Sequence, residues 1–239
     1  MEERTIRSEM LLGKDKMDKL RRSHVAVAGL GGVGSWCAEA LARAGVGCLT
    51  LLDCDEISVS NINRQIYALN STVGMPKAEA AAARTRDINP DTEVHPLIMK
   101  YEALTRDEFF AEDYDYVADC IDLVACKLDL IESCLNKGIP VISALGTGNK
   151  ADASLLRICD ISQTSGCPFA RVIRKELKAR EIYSLKVVFS PEEAIKPLQF
   201  EAPPPGRRSV PGSLVWVPAA AGLLMAQAIV EDLIRGIQS

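Results

Sequence analysis

The apolar run His24-Val-Ala-Val-Ala28 breaks off into Gly29-Leu30-Gly31-Gly32-Val33-Gly34. The next stretch carries Ala, Trp36 and Leu41 at helical spacing and stops at Gly45. Few folds accept that order. A short continuous apolar run reads as a strand covered on both faces. A glycine-rich turn lets the chain reverse at once into a helix lying back on the sheet, and a glycine in the left-handed conformation ends that helix. A strand, a tight turn and a helix in this sequence form half of a βαβ crossover, which commits the chain to a parallel sheet.

The same alternation continues. Residues 48–52 read as a second strand and 75–88 as a helix with Pro76 in its first turn. Residues 94–98, 116–120 and 139–143 read as further strands, with a helix over 124–136. Beyond Gly148 the pattern changes. Residues 154–158 and 185–189 read as strands, and 170–180 as a basic helix. Residues 201–209 contain three consecutive prolines and suit an extended or mobile loop. The final helix, over 218–234, carries Ala219, Leu223, Ala226 and Val230 along one face. The expected fold is α/β and Rossmann-like: a mostly parallel, doubly wound sheet with a C-terminal extension of additional strands and helices. Residues 1–150 are expected to form the nucleotide-binding core. Residues 151–239 continue the same domain with substrate-side strands, the basic helix, a mobile loop over 196–212 and the last core helix.

Bulk properties narrow the class. A chain of 239 residues, 48% hydrophobic, can bury a large core. Its net charge of −4 gives no global signal for nucleic acid, although local basic patches can still bind it. The N-terminus is charged and carries no signal-peptide core. The longest apolar run, 214–230, is interrupted by Pro218, Gly222 and Gln227. A membrane span needs roughly 20 predominantly apolar residues, so this run reads as a buried helix. A cytoplasmic protein without a membrane partner is expected. The eight cysteines (37, 48, 54, 120, 126, 134, 159, 167) include no CxxC pair, which argues for free thiols and against zinc. Cys37, Cys48, Cys120 and Cys134 suit core positions, and Cys126 and Cys167 are expected to be the exposed ones. No histidine stands near either in sequence to activate it. His24 and His95, the only two histidines, flank strands and suit structural roles.

The candidate chemistry begins at the glycines. Gly29, Gly31 and Gly32 permit the turn, Gly34 permits close helix–strand approach, and first-turn amides can face a phosphate. A close-packed turn holding no ligand is the alternative. Asp53, at the end of the second strand, can accept both hydroxyls of a ribose, which suits NAD as well as ATP. Asn61, Arg64 and Gln65 stand at i, i+3 and i+4, so a helical segment would set them on one face. Arg64 can fork two phosphate oxygens, and Asn61 can donate to a third. Lys77 falls in the first turn of a helix, where the dipole disfavours a cation unless an anion lies between them. A solvated surface lysine is the plainer reading. Asp119 and Asp122 bracket Cys120-Ile121. Asp122, beyond the strand, suits Mg²⁺, and Asp119 suits a structural acceptor.

At this point GLGGVGS, LLDCDEISVSNINRQ, VGMPKAE and DCID together resemble the ThiF/MoeB/ubiquitin-activating superfamily of adenylating enzymes. The resemblance is dense over residues 7–150 and looser beyond. The branch it matches best is the tRNA threonylcarbamoyladenosine dehydratase group, through the RSEMLLG lead-in and the VFS-EE segment. It implies that residues 1–150 are an ATP-binding adenylation core, with Gly29, Gly31, Gly32, Gly34, Asp53, Asn61 and Gln65 around the nucleotide. It further implies that Arg64, Lys77 and Asp122 serve the reaction, with Mg²⁺ on Asp122. Arg7 would reach ATP from a neighbouring subunit of a homodimer, although it also reads as an ordinary terminal charge. The implied substrate is tRNA carrying threonylcarbamoyladenosine, dehydrated through an acyl-adenylate. Two features depart from the superfamily: Leu123 replaces a frequent Asn after Asp122, and the two zinc-binding CxxC pairs of the protein-activating branches are missing. A monovalent cation and a sulfur-transfer partner stay open.

Arg171, Arg174, Lys175, Lys178 and Arg180, with Arg207 and Arg208, form a candidate tRNA surface; a solvated helix face is the alternative. Two rival functions remain at this level. One is adenylation of the C-terminus of a ubiquitin-like sulfur carrier. The other is an NAD-dependent dehydrogenase or nucleotide sensor, which would leave Asn61, Arg64 and Lys77 idle.

Overall fold

The computed structural model describes residues 3–198, 200 and 210–237. Five strands, β1 (His24–Ala28), β2 (Cys48–Leu52), β3 (Glu93–Leu97), β4 (Tyr116–Asp119) and β5 (Val141–Leu145), are followed by β6 (Arg157–Asp160) and β7 (Lys186–Phe189). They form one sheet in the order β3-β2-β1-β4-β5-β7-β6, parallel throughout except for the β6–β7 pair. The order reverses at β1, which lies between β2 and β4. That reversal opens a crevice at the carboxyl ends of the strands, where open α/β sheets bind ligands. Pro96 is accommodated because β3 is an edge strand with one side of its backbone unpaired.

The helices divide between the two faces. Helices α1 (Ile6–Leu12) and α2 (Lys14–Arg21) form the polar lead-in. Helices α3 (Gly34–Ala44), α4 (Lys77–Ile88) and α8 (Trp216–Leu233) cover one face, and their apolar side chains share a core with Val25, Val27, Leu49, Leu51, Ala118 and Ile142. Helices α5 (Arg106–Phe109), α6 (Val124–Asn136) and α7 (Pro168–Ala179) cover the other, over Ala26, Ala28, Val117, Leu145 and Val187. Adjacent strand residues feed opposite cores, which is why the central strands are mostly apolar without alternation.

Helix α8 is apolar and long enough to cross a membrane by composition, yet in the fold it lies on α3. A Cβ at Gly222 would sit 2.4 Å from Val33 O and 2.8 Å from Cys37 N, so the two helices approach at backbone distance. The buried stripe of α8 runs through Pro218, Ala221, Gly222, Met225 and Ile229 rather than through Leu223, which is half exposed. Small residues fix this register, because only they let α3 come close.

Several expectations need correction. The strand expected at 154–158 starts three residues later and runs Arg157–Asp160. The Asp152 carboxylate accepts Ser154 N–H at 2.8 Å and starts a single 3-10 turn, and the strand begins at Arg157. Residues 62–64 form turns after a short 3-10 helix (Val59–Asn61) rather than a longer helix. Cys126 and Cys167 are buried, at 7% and 4% exposure, because both sit where α6 and α7 pack on the sheet; Cys54 is the exposed thiol. Of the segment 196–212, position 199 and residues 201–209, including Arg207 and Arg208, lie outside the described residues. Its Gly212 end is pinned: Gly212 N–H donates to Asn149 Oδ1 at 2.7 Å, and Asn149 N–H to Gly212 O at 2.8 Å.

Candidate nucleotide site

A cavity of about 720 Å³ occupies the crevice at the β1/β4 reversal, within the usual range for small-molecule sites. The glycine turn forms its floor. Gly29 has φ +89°, and a Cβ there would lie 2.9 Å from Cys120 O, so the turns after β1 and β4 touch. A Cβ on Gly34 would fall 1.8 Å from Gly29 O, which makes Gly34 a packing position. It is absent from the cavity lining, whereas Gly29, Gly31 and Gly32 are part of it. Helix α3 opens beside this floor with no side chain capping its first turn.

Asp53 closes one side. Its Oδ2 accepts Leu30 N–H at 2.7 Å and its Oδ1 accepts Asp55 N–H at 2.9 Å, which locks the carboxylate to the glycine turn. Lys77 is buried beside it. Its ammonium lies 2.7 Å from Asp55 Oδ2 and 3.7 Å from Asp53 Oδ1. The cation at the start of α4 is therefore matched by carboxylates, not stranded against the helix dipole. The Asp55 side chain is 65% exposed, so this partner of Lys77 stands at the solvent edge of the cavity.

The turn after the 3-10 helix supplies the other donors. Arg64 N–H and Gln65 N–H both donate to Asn61 O at 3.0 Å, and the three side chains line the same cavity. Asn61 Oδ1 accepts Ser58 N–H at 3.1 Å, so the amide nitrogen is the end it can offer a ligand. The Arg64 guanidinium donates at 2.9 Å to two neutral acceptors, Ser60 O and Asn63 Oδ1. Burial holds its pKa below the ordinary arginine value; an anion in the cavity would relieve that desolvation. Gly32 lets Arg64 come close, since a Cβ there would lie 3.4 Å from Arg64 Cγ and 3.1 Å from Pro218 Cβ.

Asp122 lies on the exposed rim of the cavity. Below it, Asp119 and Lys127 are fully buried. Lys127 Nζ donates to Asp119 Oδ2 at 2.6 Å, Ser143 Oγ at 2.9 Å and Ala144 O at 3.1 Å, and Ser143 Oγ donates to Asp119 Oδ2 at 2.6 Å. Asp119 Oδ1 accepts Ile121 N–H at 3.1 Å. Asp119 is thus the structural acceptor expected of it, and its partner Lys127 went unread, hidden inside an apolar helix. Arg7 stands exposed on α1, outside the cavity lining of its own chain.

The far wall had no sequence signal. Met99, Phe169, Pro211 and Pro218 reach the cavity from four separate segments. Cys54, Cys120 and Cys126 also line it, and each is pushed up from the ordinary thiol value with burial as the largest cause. The cavity holds thiols, not ready thiolates.

A doubly wound sheet with anion-binding donors at its switch point defines a nucleotide-binding α/β protein. Comparison with known proteins carries this further. The chain belongs to the ThiF family, whose profile matches residues 3–235. It is 42% identical over 241 residues to the tRNA threonylcarbamoyladenosine dehydratase of Bacillus subtilis, covering 97% of this chain and 95% of that one. It is 39% identical to the molybdopterin-synthase adenylyltransferase of Escherichia coli, over 54% of this chain and 51% of that one. The crystal structure of the E. coli tRNA N6-threonylcarbamoyladenosine dehydratase in complex with ATP superposes with a TM-score of 0.87 at 32% identity, covering 97% of this chain and 93% of the other.

Proposed function

We propose that this chain is an ATP-dependent tRNA threonylcarbamoyladenosine dehydratase. The observation that carries the reading is the convergence of Asn61, Arg64, Gln65 and Lys77 on the cavity that the glycine turn floors. Full-length similarity to the B. subtilis dehydratase favours this substrate over a sulfur-carrier protein, since the adenylyltransferase matches only about half of the chain.

Gly29, Gly31, Gly32 and Asp53 hold the adenosine side of ATP, with Gly34 setting the approach of α3. Asn61, Arg64 and Lys77 hold the phosphates. The threonyl carboxylate attacks the α-phosphorus, the bond to the β-phosphate oxygen breaks and pyrophosphate leaves. The neighbouring carbamoyl group then attacks the activated carbonyl, closes a five-membered ring and expels AMP. One carboxylate oxygen departs on AMP, so the nucleoside loses one water. Ring closure within one molecule has a high effective molarity and requires no enzyme thiol, in keeping with the raised thiols of the cavity. Two anions must meet in the first step, and the cations of Arg64 and Lys77 stabilise that encounter. The carboxylate oxygens of Asp122 suit Mg²⁺, which when bound neutralises phosphate charge. Arg7 would complete the site from the second subunit of a homodimer.

The tRNA lies along α7, which begins at the cavity with Phe169. Arg171, Lys175 and Lys178 are exposed at i, i+4 and i+7 on this helix. Arg174 turns back to donate to Thr164 O at 2.6 Å, and Arg180 pairs with Glu176 and Glu132, so neither joins that row. On this reading the activity is cytoplasmic, alongside the tRNA it modifies.

The test incubates the protein with ATP and tRNA bearing threonylcarbamoyladenosine, then weighs the digested nucleosides. Loss of one water from that nucleoside, dependent on ATP and Lys77, is expected. ATP turnover only with a small ubiquitin-like protein would assign the activity to carrier adenylation instead.

A further inference from the structure

The amino end of the sheet, remote from the nucleotide cavity, gathers donors that the proposed reaction does not use. His24, Cys48 and Glu93 are the first residues of β1, β2 and β3 and stand side by side in parallel register. His95, two residues along β3, points to the same face. The Cys48 Sγ, a Glu93 carboxylate oxygen and a His95 ring nitrogen all lie within 4.8 Å of one another. The two histidine rings face each other at 5.8 Å.

We propose that Cys48, Glu93 and His95 form a binding site for a divalent transition-metal ion of the Zn²⁺ type, with three protein ligands and a fourth position open to solvent. The donor set mixes thiolate, imidazole and carboxylate, which suits Zn²⁺ and is foreign to Mg²⁺ or Ca²⁺. Tetrahedral coordination with bonds of about 2.0–2.3 Å needs donor separations of about 3.3–3.7 Å. His95 Nε2 and Glu93 Oε1 are already 3.3 Å apart. Closing the remainder requires about an ångström of side-chain movement. Glu93 and His95, 71% and 36% exposed at their side chains, have room for it.

His24 forms a wall of this site, not a fourth ligand. Its Nε2 is hydrogen-bonded to Thr50 Oγ1 at 2.8 Å, and its ring packs edge-on against Tyr114 at 4.9 Å. An exposed Glu93–His95 pair on its own would contribute little. The adjacent thiol is what turns the pair into a chelate. A bound ion would staple the edge strand β3 to β2 from the end opposite the cavity, so the site is independent of the proposed dehydratase activity.

Cobalt titration reads this site directly. Full-length protein, stripped with chelator, is titrated with Co²⁺ by absorbance and with Zn²⁺ by calorimetry. The wild type is expected to develop a thiolate-to-cobalt charge-transfer band. C48S should abolish the band, and H95Q and E93Q should weaken Zn²⁺ binding at least tenfold. The other donor cluster among the described residues is Asp53, Cys54 and Asp55 in the nucleotide cavity, so C54S must leave the band intact. No band in the wild type, a band that survives C48S, or one that disappears with C54S would overturn the proposal. Circular dichroism of each variant separates loss of the site from loss of the fold.

Discussion

Lys77 carries opposite demands at one position. Its ammonium is buried against Asp55 and Asp53, and in the proposed function it must also meet the phosphates of ATP. Replacing it with Met removes the cation and leaves both carboxylates facing the ligand. K77M is therefore expected to lower the rate of adenylate formation by about 10²–10³, the scale for losing one preorganised electrostatic donor; pyrophosphate exchange into ATP measures it. Gly34 is constrained differently. A Cβ 1.8 Å from Gly29 O cannot be absorbed by a side-chain shift, because the obstacle is backbone. G34A should destabilise the protein by about 3 kcal/mol or more, read as a lowered urea midpoint.

Between elements, the Lys127–Asp119 pair joins α6 to β4, and Ser143 brings in β5. Full burial makes such a pair weak evidence for stability, since desolvation offsets attraction, but severing it leaves an uncompensated charge. K127M is expected to cost about 3–5 kcal/mol, with D119N/K127M recovering much of that loss; urea unfolding of both variants tests the difference. The turn that carries Asp122 hangs from Asp119 through Ile121 N–H. K127M should therefore also raise the KM for ATP in whatever fraction stays folded. The turns around the cavity are held largely by hydrogen bonds: Asp53 accepts Leu30 N–H in the glycine turn, and Trp36 Nε1–H donates to Arg64 O at 3.0 Å to hold the Asn61–Gln65 turn.

Across the whole molecule, the last helix is tied to the sheet through Asp232. Tyr116 OH donates to it at 2.8 Å, and Lys186 and Arg235 pair with it. Burial alone would raise this carboxyl, but the hydrogen bonds from Lys186 and Tyr116 outweigh it and hold it below 3.8. The folded state thus binds its proton less readily than the unfolded chain. The contribution is complete above 3.8 and is lost as pH falls through the lower folded value. D232N should lower stability at neutral pH by about 1–3 kcal/mol and flatten the acid limb of a melting-temperature profile. The exposed row on α7 acts at the same scale. Neutralising Arg171, Lys175 and Lys178 should reduce the salt dependence of tRNA binding by about 0.7 in logarithmic slope per contact removed; a slope unchanged from wild type would exclude this row from the tRNA surface.

The sequence by itself determined the sheet's central strands, the turn after β1 and the order of donors from Asp53 to Lys77. Each of these depends on sterics within a few residues: a glycine at φ +89°, apolar runs without alternation, a proline before a helix. It also carried Asn61, Arg64 and Lys77 to one cavity, because they flank a single crossover. Only the tertiary structure decided what surrounds them. Lys127 reads as one more helix residue until β4 and β5 bring Asp119 and Ser143 against it, and Cys126 and Cys167 read as exposed until α6 and α7 pack down. Strand β6 was read as starting at 154 because the Asp152 side chain, not apolar periodicity, sets the backbone there. Phe169, Pro211 and Pro218 join the cavity from segments that no local pattern links to the glycine turn. Local sterics are written within the span of one turn or strand. Which distant side chains share a dielectric, and so which charges are offset or stranded, is fixed only once the sheet order places them together.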